Sequence, residues 1–77
     1  MKEYNGYKNK SHWNQSLWIN NDEALYYLAI ECINRVNDTK KATQLFFDTV
    51  IDIYTNDGIM WTKSGIYNAL ITLKKEG

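Results

Sequence analysis

The chain has 77 residues, nine basic and nine acidic side chains, one histidine and a formal net charge of zero. Nucleic-acid binders usually carry an excess of Lys and Arg, and a DNA mimic would present a field of carboxylates; this chain has neither, and Arg35 is its single arginine. No stretch approaches the ~18 apolar residues needed to cross a bilayer, and the start of the chain lacks the apolar centre of a signal peptide, so the expectation is one soluble, cytoplasmic domain over 1–77.

A chain this short buries only about 60–65% of its extended surface, so stability is marginal unless large side chains compensate. Three Trp, six Tyr and two Phe supply that bulk. Cys32 is the only cysteine, which rules out an internal disulfide.

Residues 1–10 read as an irregular, Tyr-rich arm with a turn signal at Asn5-Gly6. Lys2, Lys8 and Lys10 alternate there with Tyr4, Tyr7 and Trp13. Such a pattern can stack bases or fold back over a bundle, and the second is the expected use. Ser11 can cap a short helix over 12–20, with Trp13 and Leu17 on one face and Trp18 widening the stripe. The two tryptophans, with Leu17 and Ile19, are expected to form the centre of the core. Asn20 and Glu23 then resemble a capping box for the next helix, and Asp22 and Glu23 suit its positive end.

The second helix, about 22–36, carries a wide apolar stripe at Leu25, Leu28, Ala29, Cys32, Ile33 and Val36. Asp38 is placed to cap a third helix over 39–55, whose stripe is Ala42, Leu45, Phe46, Thr49, Val50 and Ile53. Phe47, Ile51 and Tyr54 make a second apolar line on it, available to a second copy of the chain. A competing pattern overlaps this helix. Residues 51–62 alternate in polarity around Asp57-Gly58, a strong hairpin signal, so a short strand pair near Gly58 stays open. Trp61 is expected to plug one end of the core. Thr62 or Ser64 would cap a last helix over 64–75 with a stripe of Ile66, Ala69, Leu70 and Leu73. Lys74 and Lys75 suit its C-terminal end. The fold class is therefore all-α: a compact four-helix bundle with short connections.

Trp13-Asn14 with Leu17-Trp18-Ile19 and Asn21-Asp22-Glu23 resembles a motif of small uncharacterised proteins from phages, plasmids and prokaryotic accessory regions. Their pattern runs N-Y-E-T-W-N-x-x-L-W-I-x-N-D-E, followed by an aliphatic helix and a D-G-aliphatic-x-W segment. Asn9 also matches the first part, and Asp57, Gly58, Ile59 and Trp61 match the second. Lys10, Ser11 and His12 stand in place of Y-E-T. The resemblance implies a mobile-element protein and supplies no catalytic residues.

Residue chemistry points away from an enzyme. His12 and Cys32 belong to different helices, Cys32 sits mid-stripe where a thiol is inert, and His12 beside Ser11 reads as a surface or capping residue. Asp48 and Asp52, four apart, read as a solvated face that could meet a basic partner or a cation. No glycine-rich phosphate loop or nucleophile elbow is present, and no metal or cofactor is expected. The expected function is binding to a host protein or protein complex, as an inhibitor of a defence system of the anti-CRISPR or anti-restriction type. Tyr4, Tyr7, Tyr26, Tyr27, Asp48, Asp52 and Tyr67 are the candidate contact residues, since aromatics lead at interface centres. The alternatives are a small nucleic-acid-binding regulator using Lys2, Lys8, Lys10, Arg35, Lys40 and Lys41, and a structural homo-oligomer through Phe47, Ile51 and Tyr54.

Overall fold

The structure, a computed structural model, describes residues 10–50 and 53–76. Four helices run in order: α1 (Lys10–Asn21), α2 (Glu23–Arg35), α3 (Thr39–Thr49) and α4 (Lys63–Glu76). Each helix packs on its two neighbours around a ring, α1 on α2, α2 on α3, α3 on α4 and α4 back on α1, and α2 and α4 meet across the middle. This is the four-helix bundle that the stripes predict, with no extended strand among the described residues. None of the described helices is long and apolar enough to cross a membrane.

The caps follow from short polar side chains at the breaks. Asp22 accepts from Leu25 N at 3.1 Å and starts α2. Asp38 accepts from Lys40 N at 2.8 Å and Lys41 N at 3.4 Å and starts α3, as expected. Thr62 starts α4, its Oγ1 accepting from Gly65 N at 3.1 Å. The anticipated box at Asn20 does not form. α1 runs through Asn20, whose amide donates to Ser16 Oγ at 3.3 Å, and only Asp22 separates α1 from α2. Ser11 likewise lies inside α1 rather than capping it, because Lys10 already begins the helix.

The core is aliphatic and aromatic, and it is not centred on the first two indoles. Ile19, Phe46, Ile66 and Leu70 are fully buried, with Ala29, Cys32, Ala42, Ala69, Leu73 and Trp61 around them. Trp61 meets Phe46 edge-to-face, with ring centroids 5.8 Å apart, and closes one end of the core as expected. Trp18, Leu25, Leu28, Ile33, Val36, Leu45 and Val50 are half-buried against this cluster. Trp13 and Leu17 are also only half-buried.

The face of α1 that points inward is instead His12, Gln15, Ser16 and Ile19, with Asn14 beside it. Four of these five side chains are polar, and Gln15 has no exposure at all. Burying such groups is costly without partners. Here every buried side-chain nitrogen and oxygen among the described residues is hydrogen-bonded.

α3 ends at Thr49, six residues before the expected 55, with Val50 extended at φ −62° and ψ 130°. Two causes act together. Thr49-Val50-Ile51 is a β-branched run with weak helix preference, and Thr55 and Asp57 are drawn into bonds with α1. Residues 53–61 form the hairpin-like reversal that the Asp57-Gly58 pattern left open. Tyr54 and Met60 make an antiparallel bridge, Thr55 N donates to Ile59 O at 2.7 Å and Trp61 N donates to Ile53 O at 2.9 Å. Gly58 sits at φ +83°, a conformation costly for side-chain-bearing residues. The second apolar line on α3 therefore does not exist as a helical surface. Phe47 lies on α3, Tyr54 lies on the reversal and Ile51 lies outside the described residues. Thr49 and Ile53, assigned to the α3 stripe, are exposed.

α1 approaches α4 closely because residue 65 is glycine. A Cβ there would collide with the carboxamide of Gln15. That carboxamide cannot swing away without breaking its bonds to Ser11, Thr62 Oγ1 and Thr62 N. Ala normally stabilises a helix relative to Gly by up to about 1 kcal/mol. Gly65→Ala is expected to destabilise by about 1–3 kcal/mol, the cost of overpacking. Urea denaturation checks the sign, and a more stable variant would contradict the close approach.

Candidate functional site

The reversal at 53–61 is held on α1 by side chains. Asp57 Oδ2 accepts from Asn14 Nδ2 at 2.7 Å and from Trp18 Nε1 at 2.9 Å. Asn14 Oδ1 in turn accepts from the buried Thr55 hydroxyl at 2.7 Å. Thr55 Oγ1 then accepts from Ile59 N at 3.2 Å and Asp57 N at 3.3 Å, so the hydroxyl also shapes the turn internally. At the adjacent position on α1, Gln15 Oε1 accepts from Thr62 N at 2.9 Å and its Nε2 donates to Thr62 Oγ1 at 3.1 Å and Ser11 Oγ at 2.8 Å. These bonds fix the segment between α3 and α4 over one end of the bundle.

Held there, the reversal walls a cleft of about 410 Å³ against α2 and the end of α3. Its sides include Trp18, Leu25, Leu28, Val50, Tyr54 and Trp61, and Asp22 is its one charged lining residue. Ile53, Tyr54 and Met60 project outward from the same reversal, 67%, 52% and 52% exposed. Exposed apolar side chains grouped beside an apolar cleft are a feature of contact surfaces. Sequence reasoning placed Ile53 in the core stripe of the third helix and assigned no surface role to Met60. The Asp-Gly turn was the signal that could have freed both for the surface.

The four described residues among the seven proposed from sequence lie on three different helices. Tyr26 and Tyr27 are both exposed on α2 and touch edge-to-face at 5.9 Å. Asp48 is exposed on α3, where it accepts from Gln44 Nε2 at 2.8 Å. Tyr67 is half-buried on α4 and faces a different cleft, shared with Lys40 and Gln44 of α3. Tyr4, Tyr7 and Asp52 lie outside the described residues.

Two further expectations concern reactive side chains. His12 was read as a surface or capping residue and is instead buried, 7% exposed, between Ser64 Oγ at 2.8 Å from Nε2 and Asn68 Nδ2 at 2.7 Å from Nδ1. It is drawn inward because α4 offers two polar partners one helical turn apart. Cys32 is buried in the stripe of α2 as expected. Burial first, and the neighbouring Glu31 second, push its thiol above the ordinary range, so little thiolate forms. Among the described residues, no group of three His, Cys, Asp or Glu is placed to hold a metal ion.

The two sequence segments that carried the resemblance, Trp13–Glu23 and Asp57–Trp61, are thus joined physically through Asn14, Trp18 and Asp57. A match over residues 1–76 accompanies this geometry. The chain belongs to DUF7249, a family of unknown function. No curated protein and no solved structure matches the DUF7249 chain.

The hydrogen bonds from Asn14 and then Trp18, with Lys10 adding a smaller electrostatic pull, hold the Asp57 carboxyl of this DUF7249 protein below the usual carboxylate range. A carboxylate whose folded value is depressed contributes stability that is present above its unfolded value, about 4, and is lost as pH falls through the folded value. The melting temperature is therefore expected to hold from neutral pH to about 5 and to fall below about 4. Asp57→Asn should remove part of that acid dependence, as thermal melts across pH would show; identical pH profiles would mean that the carboxylate is not engaged.

Proposed function

We propose that this protein acts by contact, as an accessory factor of a phage or other mobile element that binds a host protein and blocks a defence system of the CRISPR or restriction kind. The observation that supports this reading is the exposed trio Ile53, Tyr54 and Met60 beside the cleft walled by Trp18, Leu25 and Leu28. Aromatic side chains and Met are enriched at interfaces, and a fixed apolar hollow can take an anchor side chain from a partner. Rigid presentation adds to this, since Asp57 ties the reversal to α1 before any partner arrives and less ordering entropy is lost on binding. The mobile-element setting rests on the resemblance of the Trp-Asn and Asp-Gly segments.

The test combines phage plating with affinity capture. A targeted phage should plate better on a CRISPR- or restriction-proficient host that expresses the chain, and a component of that system should co-purify with it. Met60→Lys should abolish rescue and capture together. Its melting temperature should stay close to wild type, because exposed substitutions usually change stability by only about 0.5 kcal/mol. Full rescue by Met60→Lys would displace the interface from this face. No rescue and no capture across such hosts would reject the function.

A further inference from the structure

The cleft walled by the reversal has an electrostatic sign as well as an apolar lining. None of the described Lys or Arg side chains lines it, whereas Asp22 does. Asp22 follows Trp18 by one turn of helix, its N donating to Trp18 O at 2.9 Å. Asp57 adjoins the same tryptophan, since its Oδ2 accepts from Trp18 Nε1 at 2.9 Å and the preceding Asn56 is part of the lining. One ring of the cleft thus has a carboxylate on its indole nitrogen and a second carboxylate one helical turn along its own chain. Neither Asp22 nor Asp57 forms an ion pair among the described residues.

Each element that ends at the cleft repeats this sign. α1 has no basic residue in its last turn, and α2 begins with Glu23 directly after the Asp22 cap. α3 also ends without a basic residue, and Thr49 and Val50, at its negative end, belong to the lining. The reversal at 53–61 carries one charged side chain, Asp57. The described cations sit elsewhere. Lys40 and Lys41 lie in the first turn of α3, Lys74 and Lys75 in the last turn of α4, and Arg35 at the end of α2, 3.7 Å from Glu31. Lys63, the nearest in sequence to the reversal, stands 5.5 Å over the Phe47 ring and lines the cleft between α3 and α4 instead. Lys10, at the start of α1, exerts only the smallest of the pulls on Asp57. In a chain of zero net charge, this places a local negative excess beside an apolar hollow.

Such a surface is complementary to a large apolar side chain that enters, flanked by Lys or Arg that stays at the rim. A wholly apolar partner would leave the carboxylates unused, and an acidic one would be repelled. The exposed Ile53, Tyr54 and Met60 extend the contact beyond the cleft itself, which suits a polypeptide rather than a small amine. We infer that the cleft receives a basic amphipathic segment of the partner protein, a reading that rests on the contact face already proposed and adds the chemistry of what binds there. Its apolar side chain enters against Trp18, Leu25 and Leu28, and its flanking Lys or Arg pairs with Asp22 and Asp57.

The test titrates the 15N-labelled full chain with the peptide amide acetyl-Gly-Lys-Phe-Leu-Lys-Gly and with its Gln and Glu analogues. The readout is the indole N–H signal of Trp18, together with the amide signals around the cleft. At low salt the Lys peptide is expected to bind about three- to ten-fold more tightly than the Gln peptide, the range of two exposed ion pairs, and the Glu peptide more weakly than either. The gap should close at about 0.5 M NaCl, where screening acts within a few ångströms. Asp22→Asn combined with Asp57→Asn should bring the Lys and Gln peptides within about two-fold of each other, and circular dichroism should show the variant folded, since Asn caps a helix about as well as Asp. Three results would overturn the inference: no movement of the Trp18 signal at about 5 mM Lys peptide; equal affinity for the Lys and Gln peptides; or an unchanged preference in the double variant. Each of these leaves the contact reading to phage rescue and capture, which require no basic segment. A Lys preference without rescue would instead reject the defence role and leave the basic partner chemistry standing.

Discussion

A helix whose inward face is polar must be answered atom by atom, and that constraint organises this protein. His12, Asn14, Gln15 and Ser16 are buried on α1, where an apolar stripe would have been satisfied by any greasy surface of the right shape. Amides and an imidazole accept only partners at set distances and directions. Outside α1, His12, Asn14 and Gln15 find Thr55, Asp57, Thr62, Ser64 and Asn68, all from one stretch of chain after α3, while Gln15 and Ser16 also bond within α1 to Ser11 and Asn20. Hydrophobic burial around Phe46, Ile66 and Leu70 supplies most of the driving force for collapse. The polar bonds select one arrangement among the many collapsed ones, because each unmade bond would leave a buried group unsatisfied at a cost of about 1–3 kcal/mol.

The same constraint connects packing to surface chemistry. Thr55, the expected last residue of α3, and Asp57 just beyond it are bonded to α1, and Ile53, Tyr54 and Met60 are turned outward. Trp18 serves both sides of this arrangement, with its indole N–H on Asp57 and its ring along the apolar cleft. On its other contact, His12 reaches α4 and meets Ser64 and Asn68. The seats of α1 on the reversal and on α4 thus come from residues less than two turns of helix apart.

The fold class was legible from periodicity. The stripes of α2 and α4 stood out because apolar residues recur at helical spacing there, and Ala29, Cys32, Ile66, Ala69 and Leu70 are buried where the pattern puts them. Asp38 was readable as a cap because few other roles suit an Asp at that break. α1 was misread for a physical reason. Trp13, Leu17 and Trp18 outweigh Gln15 and Asn14 on any hydrophobicity scale, and such scales cannot know that partners for amides lie forty residues away. The spacing of His12, Gln15, Ser16 and Ile19 carried the correct face, but in polar residues. The end of α3 was ambiguous for a related reason: Asp57-Gly58 indicated a reversal and the stripe indicated a helix, and the tie was decided by Asn14 and Trp18, outside the window in which either pattern is read. The two clefts were not legible at all, since each is formed by elements distant in sequence.

The close seating of Gln15 against Gly65 has a consequence for synthesis. α1 is synthesised well before α4, yet the backbone that must receive Gln15 belongs to α4 and the turn that starts it. Until then the Gln15 carboxamide lacks its partner at Thr62. A nascent chain that lacks α4 should remain uncommitted, and native order should arrive in a single step once α4 is available to close the ring of helices.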